Sequence, residues 1–297
     1  MRDDAIIVGG SFAGLAAALY LARARRSVTI VDAGAPRNRF SARAHGVLAQ
    51  DGRPPVEILA AARAQVLAYP SVRVVEGEAV DAAGQADGFT VTLRTGARLE
   101  SRRLVLAFGV RDELPAIPGL VERWGRSVLH SPYCHGYEFS GRRLGVLHTS
   151  PHSLQQAQLI AEWGPTTYFL NGAETPDEAA LAALRARHIA LEPAAVAALR
   201  GPGDALQALE LVDGRTADLD ALYVGPRTHL NSDLAIRLGC ALDDGPWGPT
   251  IRTDATKLTT VAGVYAAGDI TRSMHNVTFA AADGVAVGMA AHRALVF

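Results

Sequence analysis

Short, continuous runs of apolar residues alternate with small-residue helical patterns at the start of the chain. The run "AIIV" (5–8) and the segment "SVTIVD" (27–32) have the composition of strands that are buried on both faces. Between them, "LAAALYLARA" (15–24) predicts a helix that packs through small side chains. This order predicts a βαβ unit within an α/β fold.

The same layout returns in the middle of the chain. The segment 142–170 again reads strand, turn, helix, strand, and residues 196–226 alternate like hairpins around Gly-Pro-Gly and Asp-Gly. A last buried strand, "GVYAAGD" (263–269), precedes the C-terminal helix pattern. We therefore predict two Rossmann-like, three-layer ββα nucleotide-binding domains. The second domain, 115–239, is inserted into the first, which comprises 1–114 and 240–297.

The turn "GGSFAG" (9–14) joins the first strand to the first helix. Gly9 permits a tight turn, and Gly14 lets the helix approach the strand closely. The middle glycine of the usual pattern is replaced by Ser11, which is small and carries a hydroxyl that can contact phosphate. Asp32 ends the second strand, where an acid accepts hydrogen bonds from a ribose. The first domain is thus predicted to bind a dinucleotide, its pyrophosphate at the helix N-terminus.

Two further segments resemble the two-domain flavoprotein disulfide reductases. One is "GVYAAGD" with the helix pattern 277–295 that follows it, and the other is "RRLVLAFGV" (102–110), where Phe108 replaces the threonine of an Ala-Thr-Gly turn. The resemblance implies FAD as the cofactor, with Asp269 near its ribityl or pyrophosphate part and the last helix directed at its pyrimidine ring. The positions that it assigns to cofactor binding are Gly9, Ser11, Phe12, Ala13, Gly14, Asp32, Ala33, Arg37, Asn38, His45, Gln50, Asp51, Ala79, Val80, Ala107, Phe108, Gly109, Gly268, Asp269, Phe279 and Ala280.

The turn of the second domain that corresponds to a nucleotide-binding turn lacks the residues that would bind phosphate. In "HTSPHS" (148–153) no glycine occupies a fingerprint position, and Pro151 removes a backbone donor. The segment "LNGAETPDEA" (170–179) contains acids and no basic residue that could bind a 2′-phosphate. We predict that this domain does not bind NADPH. Binding of NADH in a non-standard pose stays open.

Over its whole length the chain resembles the low-molecular-weight thioredoxin reductases. The segments 9–40, "AHGVLAQDG" (44–52) and "CHGYE" (134–138) are most similar to the dithiol oxidases of epidithiol pathways such as those of gliotoxin and holomycin. Where that family has a C-x-x-C pair, this chain has Ser131 and Cys134. The resemblance implies that Cys134 faces the flavin, that Ser131 replaces the exchanging thiol, and that His135 and His45 are further catalytic candidates.

A serine hydroxyl neither attacks nor resolves a disulfide. Ser131 is therefore an engineered substitution, a natural residue serving a different chemistry, or the mark of a redox-inactive protein. The leading hypothesis is an FAD-dependent oxidoreductase that oxidises a small dithiol or related reductant with O2 and uses little NADPH. The alternatives are a flavin-binding module without turnover, and an NAD(P)H-dependent disulfide reductase in a Cys-to-Ser variant.

The composition of the chain indicates the cellular compartment and excludes some classes of binding partner. The net charge of −1 provides no field that would attract nucleic acid or an anionic membrane. Two cysteines among 297 residues indicate free thiols in a reducing compartment, and no signal peptide, membrane span or metal-ligand set is recognised. We expect a cytoplasmic protein that acts on a small dithiol, a disulfide or a small redox protein. The family resemblance further implies a homodimer.

Overall fold

The computed structural model of the chain describes residues 2–86 and 88–297. These residues form two compact units. The first comprises the chain up to Arg39, Val56–Arg111 and Thr228–Phe297, and the second comprises Phe40–Pro55 and Asp112–Arg227. The chain therefore leaves and re-enters the first unit twice.

The strands, numbered in chain order, are β1 (Asp3–Val8), β2 (Val28–Asp32), β3 (Val72–Glu76), β4 (Ala79–Gln85), β5 (Gly88–Leu93), β6 (Arg98–Leu106), β7 (Val110–Glu113), β8 (Val128–Leu129), β9 (Leu144–Leu147), β10 (Thr166–Phe169), β11 (Ala190–Glu192), β12 (Val196–Arg200), β13 (Ala208–Leu211), β14 (Thr216–Asp218), β15 (Ala221–Val224), β16 (Arg227–Leu230), β17 (Leu242–Gly245), β18 (Gly248–Ile251) and β19 (Val264–Ala266). The α-helices are α1 (Phe12–Arg23), α2 (Pro55–Leu67), α3 (Pro132–His135), α4 (Ser153–Ile160), α5 (Glu178–Ala186), α6 (Leu234–Arg237) and α7 (Val277–Val296). Short 3₁₀ turns occupy Arg37–Phe40, Val121–Arg123, Tyr137–Phe139 and Asp269–Thr271.

The main sheet of the first unit has the strand order β3-β2-β1-β6, and β1, β2, β3 and β6 run parallel. The long strand β6 has two partners on its other side. Its first half pairs antiparallel with β5 of the β4–β5 hairpin, and its last three residues pair parallel with β19. Strands β1, β2 and β19 were predicted from apolar runs, and the structure confirms all three.

The second unit contains a five-stranded parallel sheet in the order β11-β10-β9-β15-β8. A separate antiparallel sheet, β12-β13-β14, accounts for the alternating pattern predicted around Gly-Pro-Gly and Asp-Gly. One apolar core lies between these two sheets, and another lies between the parallel sheet and helices α4 and α5. The three-layer ββα architecture predicted for both domains is confirmed.

Helix α7 is long and apolar, and it packs closely against α1. Cβ atoms added at Gly284 and Gly288 would lie 2.1 Å from the Ala13 carbonyl oxygen and 2.7 Å from the Tyr20 Cβ, so this approach requires glycine. With 20 residues and a mean hydropathy of 1.2, α7 is the one described helix whose length and composition would also suit a membrane span. Core helices share those properties, and the packing of α7 against α1 places it in that class.

The compact units depart from the predicted boundaries at two places. The segment Phe40–Pro55 clusters with the second unit, where Phe40 lies against Gly125. The chain returns to the first unit at Thr228, twelve residues before the predicted position. Thr228 donates a hydrogen bond to the Trp247 carbonyl, and Asn231 donates one to the Phe108 carbonyl (3.0 Å). These long-range contacts have no local sequence signal.

Candidate active site

The carboxyl ends of β1, β2, β6 and β19 meet at one edge of the first unit's sheet, the edge at which α/β folds bind their ligands. Gly9 leaves β1 with φ +116°, and an added Cβ would lie 2.1 Å from the Ala107 carbonyl oxygen. A Cβ at Gly14 would lie 1.8 Å from the Gly9 carbonyl oxygen. Both predicted glycine requirements are confirmed, and the turn leaves backbone at the surface of the helix N-terminus.

The Asp32 carboxylate is held in place at the end of β2. It accepts hydrogen bonds from the backbone N–H groups of Gly10 (3.3 Å) and Gly34 (3.2 Å). The guanidinium of Arg63, on α2, lies 3.2 Å from its other oxygen. Asp32 is therefore oriented before any ligand binds, as a ribose-binding acid must be.

A second charged site lies at the 3₁₀ turn Asp269–Thr271, which precedes α7. Arg37 and Asp269, which are 232 positions apart in the sequence, form an ion pair of 3.2 Å in which both side chains are mostly buried. Gly268, with φ +83°, lies against the side chains of Ala13 and Ala280. Residues from both ends of the chain thus form one wall of the same site.

Behind this wall, Asp283 is almost completely buried in α7. It accepts hydrogen bonds from the Gly268 N–H and from the hydroxyl of Thr271, and it forms ion pairs with Lys257 (2.8 Å) and Arg272. Burial alone would raise the pKa of Asp283, but the hydrogen bonds from Arg272 and Lys257 hold that pKa below its ordinary value. The Arg272 guanidinium also lies 4.9 Å from the ring centre of Phe279. This cluster fixes the 268–271 turn.

Side chains of the β9–α4 turn in the second unit form hydrogen bonds with the backbone of that turn and of the residue after β15. Ser153, fully buried, accepts hydrogen bonds from the backbone N–H groups of Thr149 (3.0 Å) and Ser150 (3.3 Å). The Thr149 hydroxyl donates to the Gly225 carbonyl (2.7 Å). Two of the backbone N–H groups that this turn could offer to a phosphate are therefore already occupied.

Cys134 lies on the single-turn helix α3, and Ser131 precedes that helix as its N-cap. The Cys134 N–H donates to the Ser131 carbonyl (3.3 Å), so the two side chains begin one helical turn apart. Cys134 is partly exposed. Cys240, the other thiol, is buried in the first unit, where burial raises its pKa, and its thiol donates to Thr259 Oγ1.

A cluster of ionisable groups lies beside α3 in the second unit. The rings of His45 and His135 are 6.2 Å apart and nearly perpendicular. His45 Nδ1 lies 3.5 Å from Asp51 Oδ2, and His45 Nε2 lies 3.4 Å from Glu138 Oε1. His45, His135 and Glu138 line one pocket of about 370 Å³. Desolvation lowers the pKa of His135, Glu138 partly restores it, and His45 lowers it further.

The model of the pyridine nucleotide-disulphide oxidoreductase family matches residues 3–284. The chain belongs to this family. The fungal relatives include a thioredoxin reductase (tcpT) of Claviceps purpurea, 32% identical over 99% of this chain and 94% of the relative. Another is a thioredoxin reductase (sirT) of Leptosphaeria maculans, 30% identical over 96% of this chain and 92% of the relative.

Two solved structures are similar to the chain over its full length. An oxidoreductase from Agrobacterium tumefaciens is 45% identical with a TM-score of 0.96, covering 100% of this chain and 99% of that one. HlmI is 40% identical with a TM-score of 0.93, covering 99% and 93%. Together with the family match, these similarities identify an oxidoreductase of the thioredoxin-reductase-like group, whose cofactor is FAD.

The first unit of this flavoenzyme fits FAD. The glycine-requiring turn at Gly9–Gly14 leaves room for backbone to approach a pyrophosphate, and Ser11 forms no side-chain cap on α1 that would compete for its first N–H groups. Asp32 and the Arg37–Asp269 pair supply oriented polar groups on either side of that turn. The residues present therefore match the cofactor that the family requires.

The structure separates the predicted site residues into two groups. The first unit contains Gly9, Ser11, Phe12, Ala13, Gly14, Asp32, Ala33, Arg37, Asn38, Ala79, Val80, Ala107, Phe108, Gly109, Gly268, Asp269, Phe279 and Ala280. Ala79 is buried in the core between the sheet and its hairpin, so only its backbone is available to a ligand. His45, Gln50 and Asp51 were placed in the FAD domain, and this placement needs correction because all three lie in the second unit. Gln50 accepts a hydrogen bond from Arg53, while His45 contacts the α3 region.

Sequence reasoning missed Arg63, Asp283, Ser153 and Glu138. Asp283 had a recognisable signal, because it is an isolated acid within the apolar stretch "FAAADGVAVGMAA" (279–291). Arg63 and Glu138 lie among other charged and polar residues of ordinary appearance, and only the fold brings them to Asp32 and His45.

Proposed function

We propose that this flavoenzyme oxidises a small dithiol with molecular oxygen and uses little or no NADPH. The reaction converts R(SH)2 and O2 into the disulfide RS2 and H2O2, so two electrons and two protons pass from the dithiol to oxygen. FAD, when bound, takes up the two electrons from sulfur and returns them to oxygen. The protein's own residues bind the dithiol and accept the protons of its thiol groups.

The main support for this proposal is the β9–α4 turn, whose backbone N–H groups bind a side chain of the protein itself. A reductase that draws on NADPH needs free N–H groups and a cation for the nucleotide phosphates. Here Ser153 engages the N–H groups of Thr149 and Ser150, and no Lys or Arg follows β10 in residues 170–179. Without an electron supply from nicotinamide, the dithiol itself becomes the reductant.

His135 is proposed as the proton acceptor. Its lowered pKa makes it neutral at physiological pH, and a neutral imidazole can take the proton of a substrate thiol. The thiolate that results is the nucleophilic and electron-donating form of sulfur. Cys134 is the neighbouring thiol. Because Ser131 cannot pair with it, the two sulfurs that form the product disulfide both belong to the substrate.

An oxygen-electrode experiment tests the proposal. The holoenzyme is mixed in air with dithiothreitol, with dihydrolipoamide or with NADPH, and free FAD at equal concentration is the blank. We expect oxygen uptake with a dithiol, return of half of that oxygen on adding catalase, and no uptake with NADPH. The variant His135→Asn should lose most of the uptake. The control His188→Asn, at an exposed position with φ +56°, should keep it.

The two alternatives give different results in the same experiment. A flavin-binding module without turnover shows no uptake above free FAD with any reductant. A disulfide reductase instead bleaches its flavin rapidly when NADPH is added under nitrogen. We further propose a cytoplasmic location, because a reducing compartment supplies dithiols and keeps Cys134 and Cys240 free.

A further inference from the structure

The carboxylate of Asp32 already has most of its acceptor positions filled by the protein. Its Oδ1 accepts the backbone N–H groups of Gly10 (3.3 Å) and Gly34 (3.2 Å), and its Oδ2 accepts an N–H of the Arg63 guanidinium (3.2 Å). An ionised carboxylate offers about four acceptor positions, shared between its two oxygens. The described residues therefore leave about one position for a ligand hydroxyl, and it lies on Oδ2, the oxygen that Arg63 contacts.

The contact between Arg63 and Asp32 is shielded from solvent. The two side chains are 31% and 16% exposed, and they come from α2 and from the end of β2. Nη2 of the same guanidinium also lies 3.5 Å from Glu76, but that carboxylate is 87% exposed, and exposed ion pairs contribute little free energy. Asp32 is therefore the principal partner of Arg63.

The same carboxylate is packed against the β1–α1 turn. A Cβ added at Gly10 would lie 2.5 Å from the Oδ2 of Asp32, so backbone of the turn covers one side of this oxygen. The Arg63 guanidinium contacts it from α2. Oδ2 is thus fixed between the turn predicted to receive the pyrophosphate and a cation. Without Arg63, only the two N–H groups on Oδ1 would hold the carboxylate.

We propose that Arg63 is a positioning residue for the cofactor and that, by fixing Asp32 Oδ2, it strengthens binding of the adenosine half of FAD. The acceptor position left on Oδ2 suits a hydroxyl of the adenosine ribose. FMN has no adenosine and gains nothing from this contact, so Arg63 contributes to a preference for FAD over FMN. The inference concerns cofactor binding alone and does not depend on the dithiol reaction.

Flavin exchange on the holoenzyme tests the proposal. The protein is equilibrated with mixtures of FAD and FMN, free flavin is removed by gel filtration, and the bound flavins are quantified by chromatography. In Arg63→Met, which keeps the length of the side chain and removes its donors, we expect the preference for FAD to fall by about tenfold, the effect of losing one charge-assisted hydrogen bond. The control Arg73→Met removes a guanidinium from another well-buried aspartate of the same sheet, Asp3 at 2.9 Å, and should keep the preference.

A double-mutant cycle shows whether Arg63 acts through Asp32. Asp32→Asn alone should lower the preference for FAD, and adding Arg63→Met to Asp32→Asn should change it little further, because the contact is already lost. An unchanged preference in Arg63→Met would overturn the inference. So would an equal fall in Arg73→Met, which would reveal general loosening of the sheet. A full tenfold effect of Arg63→Met in the Asp32→Asn background would mean that Arg63 acts independently of Asp32, again against the inference. None of these readouts requires turnover, so the proposed function succeeds or fails separately.

Discussion

The side chain of Asp283 holds several segments of the first unit together. It is an acid inside an apolar helix, and four groups converge on its carboxylate: Gly268, Thr271, Lys257 and Arg272. A buried carboxylate is tolerated only when it is paired and fully hydrogen-bonded. Lys257 and Arg272 belong to segments that precede α7. Asp283 therefore connects the last helix to the 268–271 turn.

Asp283→Asn should lower the free energy of unfolding by about 3 kcal/mol, because Lys257 and Arg272 are left without their buried counter-charge. The folded-state pKa of Asp283 is lowered, so its contribution is complete above the ordinary aspartate pKa of about 3.9 and is lost as pH falls through the folded value. Urea unfolding at several pH values checks this, and the gap between wild type and variant should narrow below about pH 4. The control Asp243→Asn, at an exposed pair with Arg252, should cost less than about 1 kcal/mol.

Ser131→Cys places a second thiol one helical turn before Cys134. Residue 131 is the N-cap of α3. A disulfide formed there with Cys134 could accept two electrons from a substrate dithiol by thiol–disulfide exchange, which one enzyme thiol alone cannot do. We expect dithiol oxidation to increase by about tenfold or more, and thiol titration in air to show loss of Cys134 to a disulfide. Ser140→Cys, on the same segment but outside this spacing, is the control. An unchanged rate and unchanged thiol count in Ser131→Cys would mean that residues 131–134 are not the redox site.

At the scale of elements, the β1–α1 contact determines whether the cofactor can bind. Gly14→Ala would place a methyl group 1.8 Å from the Gly9 carbonyl, which forces α1 away from β1. We expect the purified variant to lose most of its yellow colour, measured as the flavin-to-protein absorbance ratio. Gly96→Ala also strains its backbone, at φ +85°, but no atom lies within 4 Å of the added Cβ, so this control should keep full FAD content. Full occupancy in Gly14→Ala would show that the turn does not hold the cofactor.

The β9–α4 turn, unlike the β1–α1 turn, is expected not to bind its nucleotide. Because Ser153 occupies the N–H groups of Thr149 and Ser150, NADPH should bleach the flavin slowly or not at all. Stopped-flow absorbance under nitrogen, with stoichiometric NADPH, measures this. NADH serves as the companion reductant, since the missing cation matters only for the 2′-phosphate. Rapid bleaching by NADPH would refute the proposed electron source.

At the scale of the whole molecule, we propose that the chain forms a homodimer, as the family resemblance implies. Light scattering at micromolar concentration should then give twice the 31.3 kDa chain mass. A monomeric mass would refute the proposal. The net charge of −1 argues against a nucleic-acid partner, so neither mass nor colour should change when DNA is added.

Much of the fold followed from local patterns. The strands 5–8 and 28–32, the small-residue helices and the glycine turn were all recognisable, because a buried parallel strand and a close helix contact each require particular residue types over a few positions. The insertion of the second domain was predicted because a flavin-type strand with a Gly-Asp turn returns near the C-terminus. The assignment of Phe40–Pro55 to the second unit was not recognisable, because this segment is irregular and Gly125, which Phe40 contacts, lies about 85 positions further along the chain.

By itself, the sequence determined the two Rossmann-like domains, the glycine turn from Gly9 to Gly14, the glycine-free second turn and the single cysteine of the 131–134 segment. Each of these is a matter of which residue types occupy neighbouring positions. Only the tertiary structure decided that Arg37 meets Asp269, that Asp283 gathers two cations, and that His45 stands between Asp51 and Glu138 beside His135. Charge pairing depends on distances of 3 to 4 Å between side chains, and for residues far apart in the chain those distances exist only once the backbone has folded.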